Sequence, residues 1–523
     1  MTDPRGENLG FFFADVAKSG PHRTALIDLV EGKERQRSYA ELDARCNAVA
    51  TLAISRGLEP GDRAALALGN RIEFIEIFFG LMRAGVVPVP LNVKQSPASL
   101  SFMVQDAECR AAFVDTDASP EAVAVVDELR LPLRIALGSA PGWTDFEIAL
   151  DGAVRAGFVP ATSPDGIAFQ PYTAGSTGRP KGVRLTHAGM LWSIRTTQER
   201  WPIYPSEIGL VAVPLFHKNA MRGTIKPMLY AGGCAVIMPK FEPASFIGAL
   251  HRYGVTFSGG VPALFSMLLQ HSNLIAAQTY PRLKYFSLGS AVVPPELIAE
   301  IERAFPGVSV KESYGLTEGG GPLRAPTDGR KIPPGSAGVA ADGYEVKLVD
   351  PETLTPATRG ELWTRSPCVT DGYHNLPELT RERIVDGWLR TGDVFHRDAD
   401  GFYFFVGRTD DMFSCGGENL YPKEVENLIM THPLVRDAYC TSIAHSVKGL
   451  APGVIVVPKQ GAAVTPDDIR RYALDKGPAY AHPRVVVIAD ALPLSGAGKV
   501  DRQMARAMLD AAASGQRDGV MAR

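Results

Sequence analysis

The chain has 523 residues, which is too long for one ordinary hydrophobic core and predicts at least two domains. Lysine and arginine total 54 against 57 acidic residues, so no positive field favours nucleic acid as a partner. The six cysteines form no Cys-x-x-Cys pair, which favours reduced thiols over a disulfide or zinc framework. Apolar runs such as Phe74–Met82 are too short to span a bilayer, and the acidic start Met1-Thr2-Asp3 lacks the cationic region of a signal peptide. We therefore expect a cytoplasmic protein without a membrane span.

Most of the chain alternates short apolar strands with amphipathic helices. A helix near Glu73–Met82 and a strand near Val86–Val89 predict a first βα subdomain. In the middle of the chain, strands and helices are predicted in turn at Cys234–Met238, Ala244–Tyr253, Val255–Ser258, Ala263–Leu269, Leu283–Leu288, a helix opened by Pro294-Pro295, and a strand through Val310. Repeated βαβ units imply parallel sheets covered on both faces, so the predicted fold class is α/β.

The residue pattern of the sequence changes twice in its second half. From Gly335 to Phe405 it consists of short strands separated by Gly, Pro and Asp, which predicts a small β-rich subdomain. Beyond Arg408 a compact α+β unit is predicted, with a helix from Pro422 and strands at Ala438–Ser442, Val454–Val457 and Val485–Ile488. We place the boundary at Thr409–Asp410, which gives a large N-terminal domain, residues 1–408, and a small C-terminal domain, residues 409–523.

The run from Tyr172 to Val183 is rich in groups that bind phosphate. Its glycines let backbone N–H groups approach an anion, its hydroxyl groups donate hydrogen bonds, and Lys181 adds a charge. It is not a Walker A loop, because Gly182 follows Lys181 and Pro180 disfavours a helix start. A solvated surface turn is the alternative. The phosphate-binding residues predicted here are Thr173, Ala174, Gly175, Ser176, Thr177, Gly178 and Lys181.

Four further motifs follow this run in a fixed order. They are Tyr314-Gly315-Leu316-Thr317-Glu318, the stretch from Trp388 to Asp393, the stretch from Gly407 to Asp410, and Gly498-Lys499-Val500-Asp501-Arg502. Together the five motifs resemble those of the adenylate-forming superfamily. Residue by residue they are most similar to the motifs of the benzoate- and coumarate-type acid–CoA ligases. The resemblance runs from about residue 20 to residue 505. Each motif alone would be weak, but five in order are specific.

The resemblance implies an ATP-dependent carboxylic acid–CoA ligase. Such an enzyme forms acyl-AMP and pyrophosphate, then acyl-CoA and AMP, and uses ATP, Mg²⁺ and coenzyme A. The large domain would have parallel-sheet subdomains, and the small C-terminal domain would be mobile and carry the catalytic lysine. The catalytic residues implied are Lys499, Glu318, Thr317 and His217, with Glu318 as the magnesium ligand.

The same resemblance assigns nucleotide contacts. Adenine and ribose would meet Gly289, Ser290, Ala291, Tyr314, Gly315, Asp393 and Arg408. Tyr314 as an ordinary core aromatic is the alternative reading. Asp410 would be the hinge about which the C-terminal domain rotates, and Gly416 and Gly417 would line the tunnel for the pantetheine of CoA.

The chain departs from the family pattern in two places. Ala174 stands where the family usually has Ser, so one hydroxyl of the phosphate loop is lost. Leu494-Ser495 replaces the usual basic residue and Thr before the last loop. The glycines and Lys181 remain, so we expect ATP binding to survive.

The predicted acyl pocket contains His217, Lys218, Arg222, Gly319 and Gly320. His217 could instead be an ordinary core histidine, and the glycines could serve backbone geometry rather than pocket volume. Volume at the glycines would suit an aromatic, alicyclic or medium-chain acid better than acetate.

The segment from Gly209 to Phe241 contains no Asp or Glu, so an amino-acid substrate would lack a partner for its ammonium group. It does contain four cations: Lys218, Arg222, Lys226 and Lys240. These could bind a second carboxylate or a polar oxygen of the acid, bind the phosphates of CoA, or simply be solvated.

Two other functions stay open at this stage. The enzyme could load its acyl group on a carrier protein rather than on CoA, or the chain could be a non-catalytic nucleotide-binding module. A non-catalytic module would have no need for a magnesium ligand and a transition-state lysine. A homodimer is also left open.

Overall fold

The computed structural model describes residues 7–151, 153, 163–173, 179–289, 293–415, 418–445, 448–494 and 500–521. These residues fall into two compact units. The first comprises Met1–Val346 and Thr364–Arg390, and the second comprises Lys347–Trp363 and Thr391–Arg523. These units are defined by packing and not by motion, so the domain boundary at Thr409–Asp410 stays a prediction. Within the part of the chain that is described, no helix is both long and apolar enough to cross a bilayer.

The described strands number 28 in chain order. They are β1 Thr24–Asp28, β2 Arg35–Ser38, β3 Arg63–Ala67, β4 Val87–Pro90, β5 Cys109–Asp115, β6 Leu133–Leu137, β7 Thr144–Asp145, β8 Ile167–Phe169, β9 Tyr172–Thr173, β10 Lys181–Thr186, β11 Ile208–Val211, β12 Cys234–Ile237, β13 Phe257–Gly260, β14 Tyr285–Gly289, β15 Ser309–Leu316, β16 Gly320–Arg324, β17 Val339–Ala340, β18 Glu345–Val349, β19 Arg359–Arg365, β20 Gly372–Tyr373, β21 Ile384–Val385, β22 Trp388–Arg397, β23 Tyr403–Arg408, β24 Phe413–Cys415, β25 Glu418–Leu420, β26 Val435–His445, β27 Gly449–Pro458 and β28 Val485–Ile488.

The described α-helices are α1 Ala14–Ser19, α2 Tyr39–Ser55, α3 Ile72–Arg83, α4 Pro97–Asp106, α5 Pro120–Leu129, α6 Phe146–Asp151, α7 His187–Arg200, α8 Lys218–Ala220, α9 Lys226–Ala231, α10 Pro243–Arg252, α11 Pro262–Leu269, α12 Ser272–Ala276, α13 Pro295–Ala304, α14 Pro377–Arg383, α15 Pro422–Met430, α16 Pro466–Lys476 and α17 Arg502–Met521. Short 3₁₀ turns occur at Leu9–Phe11, Val30–Gly32 and Ala479–Ala481. A π-helical turn at Met221–Ile225 joins α8 to α9.

The first unit is built on two large sheets. The nine-stranded sheet has the order β17-β16-β15-β14-β13-β11-β12-β1-β2, and its central pairs from β15 to β1 are parallel. The five-stranded sheet has the order β4-β3-β5-β6-β7 and is parallel throughout. The α/β fold predicted from the repeated βαβ units is therefore confirmed, and each predicted strand and helix of the middle region is found within two residues of its expected bounds.

Helices α10, α11 and α13 cover the nine-stranded sheet because each has one apolar face. Each begins with proline in its first turn, where the missing N–H costs no hydrogen bond. Their buried faces contribute Phe246, Leu250, Leu264, Leu268, Leu297 and Ile301 to a continuous core. Burial of each such side chain stabilises the fold by roughly 1.5–3 kcal/mol.

The parallel strands place their carboxyl ends at one edge of the sheet. The chain segments that follow β11, β14 and β15 therefore emerge side by side, as do ligand-binding loops in other open α/β sheets. Two of the predicted motifs, the His217 segment and the Glu318 segment, follow β11 and β15. The fold thus gathers residues that are about 100 positions apart in the sequence.

The second unit contains the C-terminal α+β structure predicted from Pro422 onward. Its sheet has the order β25-β24-β27-β26, with β28 paired in parallel to β27. Helices α15, α16 and α17 pack against this sheet over a core that includes Val425, Ile469 and Leu509. A further sheet contains β18, β19, β22, β21 and β23, and the chain passes between the two units within β18, β19 and β22.

Candidate active site

The two ends of the glycine-rich run are fixed by a short antiparallel pair. Lys181, the first residue of β10, pairs in register with Thr173 of β9, and Gly182 pairs with Tyr172. The loop between them is thereby closed at its base. Ala174, Gly175, Ser176, Thr177 and Gly178 lie outside the described residues, so their predicted contacts with phosphate stay predictions.

Glu318 lies at the tip of a tight hairpin between β15 and β16. Leu316 pairs with Gly320 across the turn, which leaves Thr317, Glu318 and Gly319 as the connecting residues. Gly320 has φ +70°, a left-handed conformation that suits a three-residue hairpin. The backbone oxygen of Glu318 accepts a hydrogen bond of 2.7 Å from Thr370 N, which holds the turn in place.

The Glu318 carboxylate meets hydroxyl groups from two other motifs. Thr173 Oγ1 donates to Glu318 Oε1 over 3.4 Å, and the Tyr373 hydroxyl donates to the same oxygen over 3.3 Å. Because Lys181 pairs with Thr173, the cation of the glycine-rich run starts beside this carboxylate. Residues 145 positions apart in the sequence thus form one polar cluster.

A magnesium ion fits this donor set. Mg²⁺ in nucleotide sites takes one or two carboxylates and completes its coordination with water and phosphate oxygens. Glu318 offers such a hard oxygen donor, and its side chain is half-buried. Among the described residues no cluster of three or more His, Cys, Asp or Glu forms an all-protein metal cage.

The segment before α8 is held by Asn70. Asn70 Nδ2 donates to Val213 O and to Met238 O, both over 3.0 Å, and Asn70 Oδ1 accepts from Leu215 N over 2.8 Å. This buried amide fixes the ends of β11 and β12 and the chain that leads to His217. His217 is half-buried, and its ring centre lies 4.8 Å from that of Phe216.

A small cavity of about 10 Å³, the size of one water molecule, opens beside this segment. Asn219, Gly223 and Thr224 line it on the helical side, and Phe257, Gly259 and Ser287 line it on the side of the sheet. A Cβ on Gly259 would lie 3.3 Å from Ser287 O, so the two strands approach closely at this wall. Sequence reasoning missed this lining, although Asn219 follows the predicted His217 by only two positions.

Protein atoms already occupy the space beside Gly319 and Gly320. A Cβ on Gly319 would lie 2.7 Å from Leu389 Cδ2, and one on Gly320 would overlap Cys368 Sγ. The described contacts thus favour the alternative that these glycines serve backbone geometry and close packing. Their place in the acyl pocket stays a prediction.

The residues predicted to meet adenine lie on β14 and β15. Gly289 pairs with Ser313, the residue before Tyr314, which is half-buried and itself pairs with Leu323. Gly315 must be glycine, because a Cβ there would overlap Gly320 O and lie 2.8 Å from Arg222 Nη1. Ser290 and Ala291 lie outside the described residues.

The two residues predicted to bind ribose are brought together within the second unit. Asp393 of β22 pairs with Arg408 of β23, and Arg408 Nη1 lies 2.9 Å from Asp393 Oδ1. Arg408 Nε also donates to Asp410 Oδ1 over 2.8 Å. Burial raises the pKa of Asp410, but the hydrogen bond from Arg408 and the charge of that guanidinium together outweigh it, so the pKa lies below its ordinary value.

The remaining predicted residues of the second unit, Gly416, Gly417 and Lys499, lie outside the described residues. The base of the Lys499 loop is described. Leu494 and Val500 form an antiparallel bridge, and Asp501 N donates to Pro493 O over 2.8 Å. The loop that carries the predicted catalytic lysine is thus closed by backbone hydrogen bonding at its two ends.

Comparison with known proteins agrees with this arrangement. The model of the family described as AMP-binding enzyme matches residues 13–374, and that of the AMP-binding enzyme C-terminal domain matches residues 424–499. A feruloyl-CoA synthase from Amycolatopsis sp. is 32% identical over 502 residues, 95% of this chain and 98% of the relative. An oxalate–CoA ligase from Arabidopsis thaliana is 28% identical over 511 residues, with 95% and 98% covered. The crystal structure of ATP-bound MatB from Rhodopseudomonas palustris superposes with a TM-score of 0.87 at 28% identity, covering 96% of this chain and 98% of that one.

The chain belongs to the AMP-binding enzyme family. Its relatives are named as CoA ligases and synthases, and the chain is accordingly an acid–thiol ligase of the AMP-forming type. The family, the fold and the ligase class predicted from the five motifs are confirmed. Sequence reasoning did not place Tyr373 in the site, yet its hydroxyl donates a hydrogen bond to Glu318.

Proposed function

We propose that this enzyme uses ATP to activate an aromatic, alicyclic or medium-chain carboxylic acid and transfers the acyl group to coenzyme A. The first half-reaction joins the acid to AMP and releases pyrophosphate. The second transfers the acyl group to the CoA thiol and releases AMP. The proposal includes a cytoplasmic location, and a homodimer stays open.

The hydrogen bond from Thr173 to Glu318, with Lys181 paired in register to Thr173, is the observation that carries the proposal. It joins the phosphate-type loop to the hairpin carboxylate, as a site that neutralises a triphosphate requires. Thr173 and Lys181 would bind the β- and γ-phosphates and then the departing pyrophosphate. Glu318 would hold Mg²⁺, which when bound offsets phosphate charge.

Other residues of the chain would position the nucleotide and the reacting carboxylate. Tyr314 would stack on adenine, Asp393 would accept hydrogen bonds from the ribose hydroxyls, and Arg408 would donate one to them. Lys499 would bridge the acid carboxylate and the α-phosphate while negative charge accumulates, which lowers the barrier through a charge-assisted hydrogen bond. His217 and Thr317 would border the reacting groups.

The small residues on the two walls of the cavity support a bulky acyl group. Gly223 on the helical side and Gly259 with Ser287 on the sheet would obstruct a ring or a branched chain less than large side chains would. The two relatives described above differ in the size of the acid for which they are named. One is named for ferulate, an aromatic acid, and the other for oxalate, a small dicarboxylic acid.

The test is a panel of aromatic, alicyclic and medium-chain acids assayed for pyrophosphate and AMP release, with and without CoA. We expect pyrophosphate release with acid and ATP, and release of AMP with a thioester product once CoA is added. Glu318→Gln should slow pyrophosphate release by roughly 10²–10³-fold, because a neutral amide oxygen replaces the charged carboxylate that would hold the metal.

Glu378→Gln is the matched control, since Glu378 is an exposed surface carboxylate with 80% of its side chain accessible. Its activity should equal that of the wild type. If AMP is released with a phosphopantetheine carrier protein but not with CoA, the carrier-loading alternative replaces the ligase. If no acid in the panel yields pyrophosphate, the proposal is wrong.

A further inference from the structure

Three cationic side chains cluster inside the first unit, next to the candidate acyl cavity. Lys226 is 4% exposed and Arg324 is 8% exposed, and Arg222 is half-buried on the turn that precedes Lys226. The other polar groups at the cluster are the Tyr344 hydroxyl and Cys368 Sγ, which lie 3.2 Å apart. None of the neighbours named here is an acid.

The cluster lacks a counter-charge within the part of the chain that is described. Lys226 Nζ has Met190 Sδ as its hydrogen-bond acceptor, at 3.8 Å, and lies 5.5 Å from the Phe169 ring centre. Arg222 Nε is buried without a hydrogen-bond partner among the described residues. Burial lowers the pKa of Lys226, and the neighbouring cation Arg222 lowers it as well. Buried charges in folded proteins are normally paired, because an uncompensated one is costly.

Surface solvation therefore does not explain these cations. Of the four in the acid-free segment from Gly209 to Phe241, Lys240 is exposed and Lys226 is fully buried. Arg324 has a hydroxyl acceptor, Thr197 Oγ1 at 3.3 Å, and its guanidinium lies 5.0 Å from the centre of the Trp201 ring. Both contacts are weak compensation for a buried guanidinium.

The guanidinium of Arg222 reaches the hairpin that carries Glu318. A Cβ on Gly321 would overlap Arg222 Nη2, and one on Gly315 would lie 2.8 Å from Arg222 Nη1, so the two glycines make room for it. Gly223, the next residue, lines the cavity. Both residues lie in the π-helical turn at Met221–Ile225, and such turns occur frequently at functional sites.

We infer that the activated acid carries a second carboxylate. Arg222 binds this carboxylate in bidentate fashion, and Lys226 and Arg324 add their positive charge to the same cluster. The inference rests on the proposed function and names its substrate class, a dicarboxylic acid with one carboxylate left free in the product. An anion supplied by the substrate would complete the cluster, and guanidinium is the cation whose planar fork matches a carboxylate. An acid without that group would leave the cations uncompensated.

The experiment compares matched pairs of acids: benzoate with benzene-1,3- and 1,4-dicarboxylate, cyclohexanecarboxylate with cyclohexane-1,4-dicarboxylate, and octanoate with octanedioate. Pyrophosphate release gives kcat/KM for each acid with the full-length enzyme. We expect at least one dicarboxylate to exceed its monocarboxylate partner by tenfold or more. The same dicarboxylate should raise the melting temperature of the enzyme, and its partner should not.

Arg222→Gln should lower the ratio of kcat/KM for the dicarboxylate to kcat/KM for its monocarboxylate partner by tenfold or more. Arg222→Lys should restore part of the preference, and Lys240→Gln, at an exposed cation of the same segment, should change nothing. If the Arg222 variants fail to fold, two measurements of the dicarboxylate-to-monocarboxylate ratio of kcat/KM test the inference instead. The ratio should be tenfold or more with the wild type and lower with Lys226→Met.

Equal use of mono- and dicarboxylates by the wild type would overturn the inference and leave the proposed function intact. An unchanged ratio in folded Arg222→Gln would also overturn it. Absence of pyrophosphate with every acid of both series would instead refute the proposed function, and this inference with it.

Discussion

The ammonium group of Lys226 lies among apolar neighbours, with a thioether and an aromatic face as its nearest partners. Burial, together with the neighbouring cation Arg222, lowers its pKa to about 7. Lysine is almost never fully buried in folded proteins, so the residue type did not indicate this burial. The absence of acids around it was visible in the sequence, but which of four cations would be buried was not.

Lys226→Met is expected to stabilise the enzyme without ligand, by an amount that depends on pH. The folded pKa of about 7 lies below the ordinary value of 10.5, so the unfolded state binds more protons between these values. The wild type therefore carries the full penalty below pH 7 and loses it as the pH rises toward 10. Because one pKa unit corresponds to about 1.4 kcal/mol, the variant should gain a few kcal/mol at pH 7.

Chemical denaturation at pH 7 and at pH 9.5 measures this gain. Lys240→Met, at an exposed position, should show no pH-dependent difference from the wild type. A gain for Lys226→Met that is equal at both pH values, or larger at pH 9.5, would contradict the prediction.

At the scale of elements, the site depends on how strand ends are held relative to one another. The carboxyl ends of β11, β14 and β15 are neighbours because the strands are parallel, which the βαβ pattern predicted. The pattern did not predict Asn70, a residue from the other large sheet region whose amide joins the ends of β11 and β12. Nor did it predict that the tip of the β15–β16 hairpin would meet β9. Contacts between elements distant in sequence leave no local signal.

Asn70→Ala tests the positioning of the segment that leads to His217. The substitution removes three buried hydrogen bonds and leaves Val213 O, Met238 O and Leu215 N without this partner. We expect a loss of about 2–4 kcal/mol in the free energy of unfolding, together with weaker binding of the acid. Denaturant titration and KM for the acid provide the two readouts.

Asn273→Ala is the matched control because Asn273 is an exposed residue of α12. It should leave the free energy of unfolding within about 0.5 kcal/mol of the wild type. If Asn70→Ala is equally neutral, the amide does not hold the segment.

At the scale of the whole molecule, two half-reactions must be served by one chain. The two compact units each contribute part of the predicted machinery: Thr173 and Glu318 belong to the first, and Asp393 and Arg408 to the second. The resemblance to the family places a hinge at Asp410, which is held by Arg408 within the second unit. Rotation about this hinge stays a prediction, since it concerns a change between two states.

Asp410→Pro should separate the half-reactions. Proline fixes φ near −65°, so rotation of the backbone at this position is restricted. We expect acyl-AMP formation, measured by pyrophosphate release, to be retained, and thioester formation to be suppressed. Lys499→Ala should give the opposite pattern, with adenylation lost and thioester formation from preformed acyl-AMP retained.

Asp410→Ala controls for loss of the ion pair with Arg408, because it removes the carboxylate without restricting φ. It should sustain both half-reactions better than Asp410→Pro does. An overall rate for Asp410→Pro equal to that of the wild type would refute the hinge, and equal losses of both half-reactions in Lys499→Ala would refute the assignment of that lysine.

The sequence by itself determined the family, the α/β class and the identities of the phosphate-loop and hairpin residues. These depend on short motifs and on periodicity, which are local properties of the chain. The tertiary structure decided which of those residues share a cluster, and that Lys226 and Arg324 are buried without an acidic partner among the described residues. Such properties arise from packing between segments more than a hundred residues apart, and no local pattern encodes them.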